Sequence, residues 1–270
     1  MQASRIRAGF GSFVAVFAIY LKECFAYPAT VFLWVLIEST NALVLPAVWG
    51  AAASSGSIGG FSAAEMVGYY LITAALSQFI VCHLMWDIAW DIREGWFTSF
   101  LMRPMSFFWM STARNLSWRV VKIVFFLPIL GLMIVFYPEV DLSQAHLGPA
   151  FWASVLLAHT LSFAMAYCLA MVPFWTTEFY SILRLYYFPE LFLSGRLVPL
   201  QMLPEWVRTF AEWTPFPYTI AFPAEIALGM RTESQVTQGL GIQAAYVAGF
   251  LFLGRVIFRR GTKLYTGVGM

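Results

Sequence analysis

The sequence predicts an all-α, polytopic membrane protein, on three observations. Of its 270 residues, 60% are hydrophobic and 11% charged, whereas soluble domains run about 45–50% apolar and about 25% charged. Several apolar runs reach the roughly 20 residues needed to cross about 30 Å of hydrocarbon. The lysines and arginines between those runs are unevenly shared, as they are when one side of a membrane retains them.

Taken in order, the chain opens with an amphipathic helix at 5–27, where Ile6, Phe10, Phe13, Val14, Phe17 and Leu21 recur at helical spacing beside Arg5, Arg7 and Lys22. This pattern suits a helix lying in the inner interface. It lacks the short apolar core and small-residue cleavage site of a secretory leader. Tyr27-Pro28 marks a break. Six spans follow: 29–53, 67–90, 120–137 with a polar-flanked extension back to Phe107, 148–175, 179–198 and 240–258. The fifth is the weakest, because Arg184, Glu190 and Arg196 interrupt it.

With the N-terminus inside, the inner segments hold Arg5, Arg7, Lys22, Arg93, Arg103, Arg114, Arg119, Lys122, Arg184, Arg255, Arg259, Arg260 and Lys263. The outer ones hold only Arg196, Arg208 and Arg231, and the first two outer loops, 54–65 and 138–147, hold none. Both termini are therefore expected in the cytoplasm.

The stretch 199–238 is too apolar for a free loop and too proline-rich for a span. Pro204 opens a short helix with Leu203, Trp206, Val207, Phe210 and Trp213 as its stripe, and Pro223 and Gly229 bracket a second. Two short helices on or dipping into the outer leaflet need protein or water to cover their backbone. No repeat or soluble domain interrupts residues 1–270, which read as one membrane domain.

Several chemistries are missing from the sequence. It contains no G-x-x-x-x-G-K loop and no H-E-x-x-H pair, and His83, His146 and His159 are widely separated. Cys24, Cys82 and Cys168 form neither a disulfide framework nor a metal pattern. The formal charge of +2 gives no ground for a nucleic-acid partner. Catalysis within this chain and a cofactor of its own are therefore not expected, and any work against a gradient would draw on a partner or on an ion gradient.

The stretch "IREGWFTSFLMRPMSFFW" and the later "VPLQMLPEWVRTFAEWTPFPYTIAFPAEIALG" resemble two segments of the ABC-2-type (type-2) ABC transporter permeases. The first is similar to G-x-x-x-x-x-L-x-R-P-x-S after span two, the second to P-x-x-x-L-P-x-W…PF…P-A-x-x-x-x-G before the last span. Coverage is nearly the whole chain, and the small bacterial six-span branch is the nearest in layout. The resemblance implies a multi-pass permease of the cell (inner) membrane that works beside ABC ATP-binding subunits. Those subunits would bind ATP and Mg. It also implies a second permease, identical or not, and export as the usual direction.

Two sets of candidate residues follow. The cytoplasmic segment 91–106 contains Asp91, Arg93, Glu94, Gly95, Trp96, Phe97, Phe100, Leu101, Arg103 and Pro104. Trp96, Phe97, Phe100 and Leu101 share one helical face, and Pro104 ends the helix. The segment is either a coupling helix seated in an ATPase groove or a helix resting on anionic headgroups. The second set is Glu38, Asn41, Tyr186, Tyr187 and Glu190, placed on a translocation path. Charges at bilayer depth face protein or water, but an interhelical bond pinning two spans would equally account for them.

His159 is a further intramembrane ionisable group. Glu178 and Arg184 flank the inner loop between spans four and five. Most tryptophans fall near span boundaries, as an interfacial belt would. Two competing functions remain open: a proton-coupled secondary transporter using Glu38, Glu190 and His159, and a non-transporting scaffold. Within the family, polysaccharide or glycolipid competes with a small hydrophobic compound as cargo.

Overall fold

The computed structural model describes residues 2–53, 59–138, 140 and 145–266, the side chains of 2–9, 41–43, 50 and 53 excepted. The expected outer loops at 54–65 and 138–147 fall partly outside the described residues, as do the side chains of Arg5, Ile6, Arg7 and Asn41. The architecture is all-helical: α1 Gln2–Ala26, α2 Pro28–Ala53, α3 Ala63–Ile80, α4 Leu84–Arg93, α5 Phe97–Leu101, α6 Phe107–Phe136, α7 Pro149–Ala170, α8 Phe179–Leu193, α9 Glu205–Glu212, α10 Ala221–Ala227 and α11 Glu233–Leu264.

Among the described residues, five stretches are long and apolar enough to cross a membrane: Pro28–Trp49, Ala63–Arg93, Phe107–Phe136, Pro149–Phe174 and Glu233–Leu264. They coincide with the predicted apolar runs, because helix is the form that satisfies its own backbone in hydrocarbon. Helix starts follow from local chemistry. Ser62 and Glu65 form a capping box at α3, and Thr232 and Gln235 form one at α11, each pair satisfying free N–H groups at the first turn.

Three expectations are modified. The second span is two helices, α3 and α4, separated at Val81–His83. The fifth expected span is a helix of 15 residues, about 22 Å at 1.5 Å per residue and shorter than the hydrocarbon core by itself. It stops at Gly195, whose φ of 81° reverses the chain at little steric cost. Third, Arg119 and Lys122, assigned above to the inner basic loop, are buried side chains on α6 in the bundle interior, so they leave the count of inner-loop cations.

The bundle has two apolar ends. At one, α4, α5, the start of α6, the end of α7 and the start of α8 enclose Phe97, Phe107, Phe174 and Phe179. At the other, the starts of α3 and α7 meet α10 around Tyr69, Phe151 and Phe222. α11 runs antiparallel to α7 between them. Gln243 donates to the Ser154 carbonyl near one end, and Gly261 abuts Phe174 near the other. The chain from 175 to 232 therefore returns from one end to the other, through α8 and then the turn, α9 and α10.

α1 packs along α6, with the Ser117 hydroxyl donating to the Phe17 carbonyl at 2.9 Å and Phe13 edge-on to Trp109. Phe10, Val14, Ile19 and Phe25 stay exposed on it.

Candidate coupling face and interior charge network

The α4–α5 turn begins where Gly95 takes a left-handed φ of 81°. Asp91, one turn earlier, is half-buried and accepts from Arg114 at 3.0 Å. Asp91 is thus engaged inside the chain. Arg114 also approaches Asp87 at 3.7 Å and lies over the Tyr20 ring.

The four apolar side chains expected on one face are divided by the structure. Phe97 is 0% exposed and sits inward among Phe107, Tyr265, Phe174 and Phe258, with ring centroids 4.9, 5.1, 5.3 and 6.2 Å away. Edge-to-face packing of this sort adds to burial energy. Phe100 is half-buried against Phe107, and the Arg103 guanidinium stands 5.0 Å from its ring. Trp96 and Leu101 face outward, and Met102, which the sequence reading passed over, is 77% exposed beside them. Arg93, Glu94, Arg103 and Pro104 are exposed as well. The outward set is therefore Trp96, Leu101 and Met102 rimmed by charge, carried on a buried aromatic anchor.

The second set of candidates lies in the interior. Glu38 on α2 is paired with Lys122 on α6, and its other oxygen lies 3.5 Å from Nε2 of His83. His83 Nδ1 is 2.8 Å from the Tyr187 hydroxyl, which also accepts from the Trp86 indole at 2.8 Å. The His83 ring thus lies between Tyr187 and Glu38, predicted separately, bonded to the tyrosine and only close to the carboxylate. Glu190 is paired with Arg196 at 3.0 and 2.9 Å, the arginine reaching back from the turn after α8. Tyr186 packs on Phe216. For Asn41, the helical position on α2 is described and the side chain is not.

The α3–α4 break leaves carbonyls and N–H groups without helical partners, at a depth where each would be costly. Side chains take them up. Arg119 donates to the carbonyls of Gln78 (2.9 Å) and Val81. His159 Nδ1 meets the Phe79 carbonyl at 2.8 Å, and the Cys82 N–H donates to Ser162 at 3.0 Å. A cation at a helix C-terminus also complements the helix dipole. Asn115 links His159 Nε2 to the Cys82 thiol, which donates to it.

Sequence reading missed this site because "SQFIVCHLMW" carries no proline or glycine. The available signal was Arg119 and Lys122, three residues apart on α6 at the edge of its apolar run and therefore on one face.

At the opposite end of the bundle, Glu225 is buried and bonded to Arg231 (2.7 Å) and Gln201 (2.6 Å). This pair ties α10 to the segments on either side of it.

Among known proteins, the model of a family described as ABC-2 family transporter protein matches residues 47–269. That match spans both stretches quoted from the sequence and everything from the end of α2 onward. No curated protein matches the chain.

Proposed function

The chain belongs to the ABC-2 transporter family, and from that premise we propose that it is the membrane-spanning subunit of an ATP-driven exporter, docked to separate ATP-binding subunits through α5. The observation that carries the proposal is the division of labour within α5: Phe97 is held inside the chain while Trp96, Leu101 and Met102 stand outward. An exposed apolar cluster with a charged rim is suited to a protein groove. A rigid anchor behind it lets a push from outside reach the bundle instead of being absorbed by a loose loop.

In this reading both termini are cytoplasmic and α8 with the segment to α10 makes a composite sixth crossing, since α11 must begin at the end opposite to where α7 stops. A second permease, identical or not, completes the path. ATP and Mg bind on the partner, whose closure on nucleotide shifts the paired permeases between two states through its differential affinity for them. The polysaccharide, glycolipid or small hydrophobic cargo would pass between the two permeases.

The ionisable groups that a proton relay would use are each engaged with other groups: Glu38 with Lys122, Glu190 with Arg196, and His159 with Asn115 and the Phe79 carbonyl. That engagement supports a role in joining α2 to α6, closing the turn after α8 and holding α7 to the α3–α4 break, and gives a proton relay less to work with.

The deciding experiment is affinity capture of the tagged chain from its native membrane. Recovery of an ATP-binding subunit, lost in Trp96→Asp/Leu101→Asp, is the expected result. Recovery of none with the unsubstituted chain, or equal recovery with the double variant, would overturn the docking role of α5.

A further inference from the structure

Tyr265, the residue that ends α11, holds the α4–α5 turn. Its hydroxyl donates to the Gly95 carbonyl at 3.0 Å and so accepts from Thr98 Oγ1 at 3.2 Å. Its ring packs edge-on to Phe97 at 5.1 Å and to Phe174 at 5.9 Å. One side chain thus grips both the left-handed glycine that starts the turn and the helix that follows it.

α11 is built to carry displacement away from that grip. It runs for 32 residues without a proline, about 48 Å of continuous helix. Three glycines on it are seats for aromatic rings: Gly261 for Phe174, Gly254 for Tyr167 and Gly239 for Phe222. At each, a Cβ would meet the ring, so helix and neighbour are in close contact with little freedom to slide. Near its beginning, Gln243 donates to the Tyr218 carbonyl at 2.8 Å and Tyr246 to the Trp213 carbonyl at 2.9 Å. α11 is therefore fastened to α5 at one end and to the α9–α10 region at the other.

We infer that Tyr265 is the positioning residue through which movement of α5 is passed along α11 to the α9–α10 segment. This rests on the reading of α5 as the docking element, but adds a route across the bundle that does not depend on α8 or on the interior ion pairs. Tyr265→Phe separates the route from the fold, because it keeps the ring against Phe97 and Phe174 and removes both hydroxyl contacts.

The test uses the complex captured from native membrane, in a Cys24→Ser background, with a bimane fluorophore on Trp206→Cys at the exposed face of α9. The unsubstituted Tyr265 form is expected to change bimane emission on adding ATP, Mg and vanadate. Tyr265→Phe is expected to retain the ATP-binding subunit and its basal hydrolysis, with a thermal midpoint within about 5 °C of the unsubstituted form, since the Gly95 carbonyl it releases is part-exposed. It should reduce the emission change by about two- to tenfold, the range set by the net worth of one hydrogen bond.

An emission change of undiminished size in Tyr265→Phe overturns the inference and leaves docking through α5 intact. So does a drop in midpoint or subunit recovery that accounts for the loss, since Tyr265 would then act only in stability. Absence of any ATP-binding subunit from the unsubstituted preparation overturns the docking reading and this inference together.

Discussion

Lys122 and Glu38 meet in the interior of the bundle, joining α6 to α2, and the lysine side chain is 0% exposed. A buried pair of this kind contributes less than its Coulomb energy suggests, because both groups give up hydration. Removing one partner is nevertheless severe, since it strands the other charge. Lys122→Met should therefore lower unfolding stability by about 3–5 kcal/mol, seen as a reduced thermal midpoint in detergent. Glu38→Gln combined with Lys122→Met should recover most of the loss. A double variant as unstable as Lys122→Met alone would show that the lysine acts through other contacts.

Arg119 bonds to two carbonyls at the α3–α4 break, and its replacement by methionine keeps the length but not the donors. The stranded carbonyls should cost about 1–3 kcal/mol each. The local signature is faster amide exchange at Val81–Leu84 than in the middle of α7. Unchanged exchange there would mean that water or another donor takes over.

Phe97 and Trp96 are adjacent in sequence but should respond in opposite ways. Phe97→Ala opens a hole among four rings and should destabilise by about 3–5 kcal/mol, read as poor yield and a lowered midpoint. Trp96→Ala should leave the midpoint nearly unchanged and weaken recovery of the ATP-binding subunit. Equal loss of stability from both would contradict the division of α5 into an anchored and an exposed side.

The glycines of α11 separate by what faces them. Gly261→Ala and Gly239→Ala would drive a Cβ into the rings of Phe174 and Phe222, whereas Gly241 and Gly249 have nothing within 4 Å of an added Cβ. The first two should cost about 1–3 kcal/mol through overpacking. The other two should be neutral or gain slightly from the higher helix propensity of alanine. Thermal midpoints of the four single variants give the comparison.

Much of the fold is legible in the sequence because long apolar runs leave the backbone few choices. α2, α6, α7 and α11 lie where their runs lie, and the Pro204 and Pro223 segments do contain α9 and α10. The α3–α4 break was not legible. What sustains it is a donor from α6 and two groups from α7, a tertiary arrangement that no local signal at Val81 records. The interior positions of Arg119 and Lys122 were hidden for a related reason, since a basic residue near a span end is more often a headgroup anchor. Phe97 was assigned to the wrong side because helical spacing alone gives no inside and outside to a helix of one turn and a half. The placement of Tyr265 was beyond reach, 170 residues from the carbonyl it holds.

The interior cations also bear on how the chain enters its membrane. An α6 carrying Arg119 and Lys122 would partition poorly as an isolated helix, because each cation adds a few kcal/mol to its insertion. Their partners, the carbonyls of Gln78 and Val81 and the carboxylate of Glu38, all precede them in the chain. When the ribosome delivers α6, everything that compensates its charges has already been synthesised. Vectorial synthesis thus supplies the acceptors before the donors, and a circularly permuted chain that made α6 first would face the insertion cost unaided.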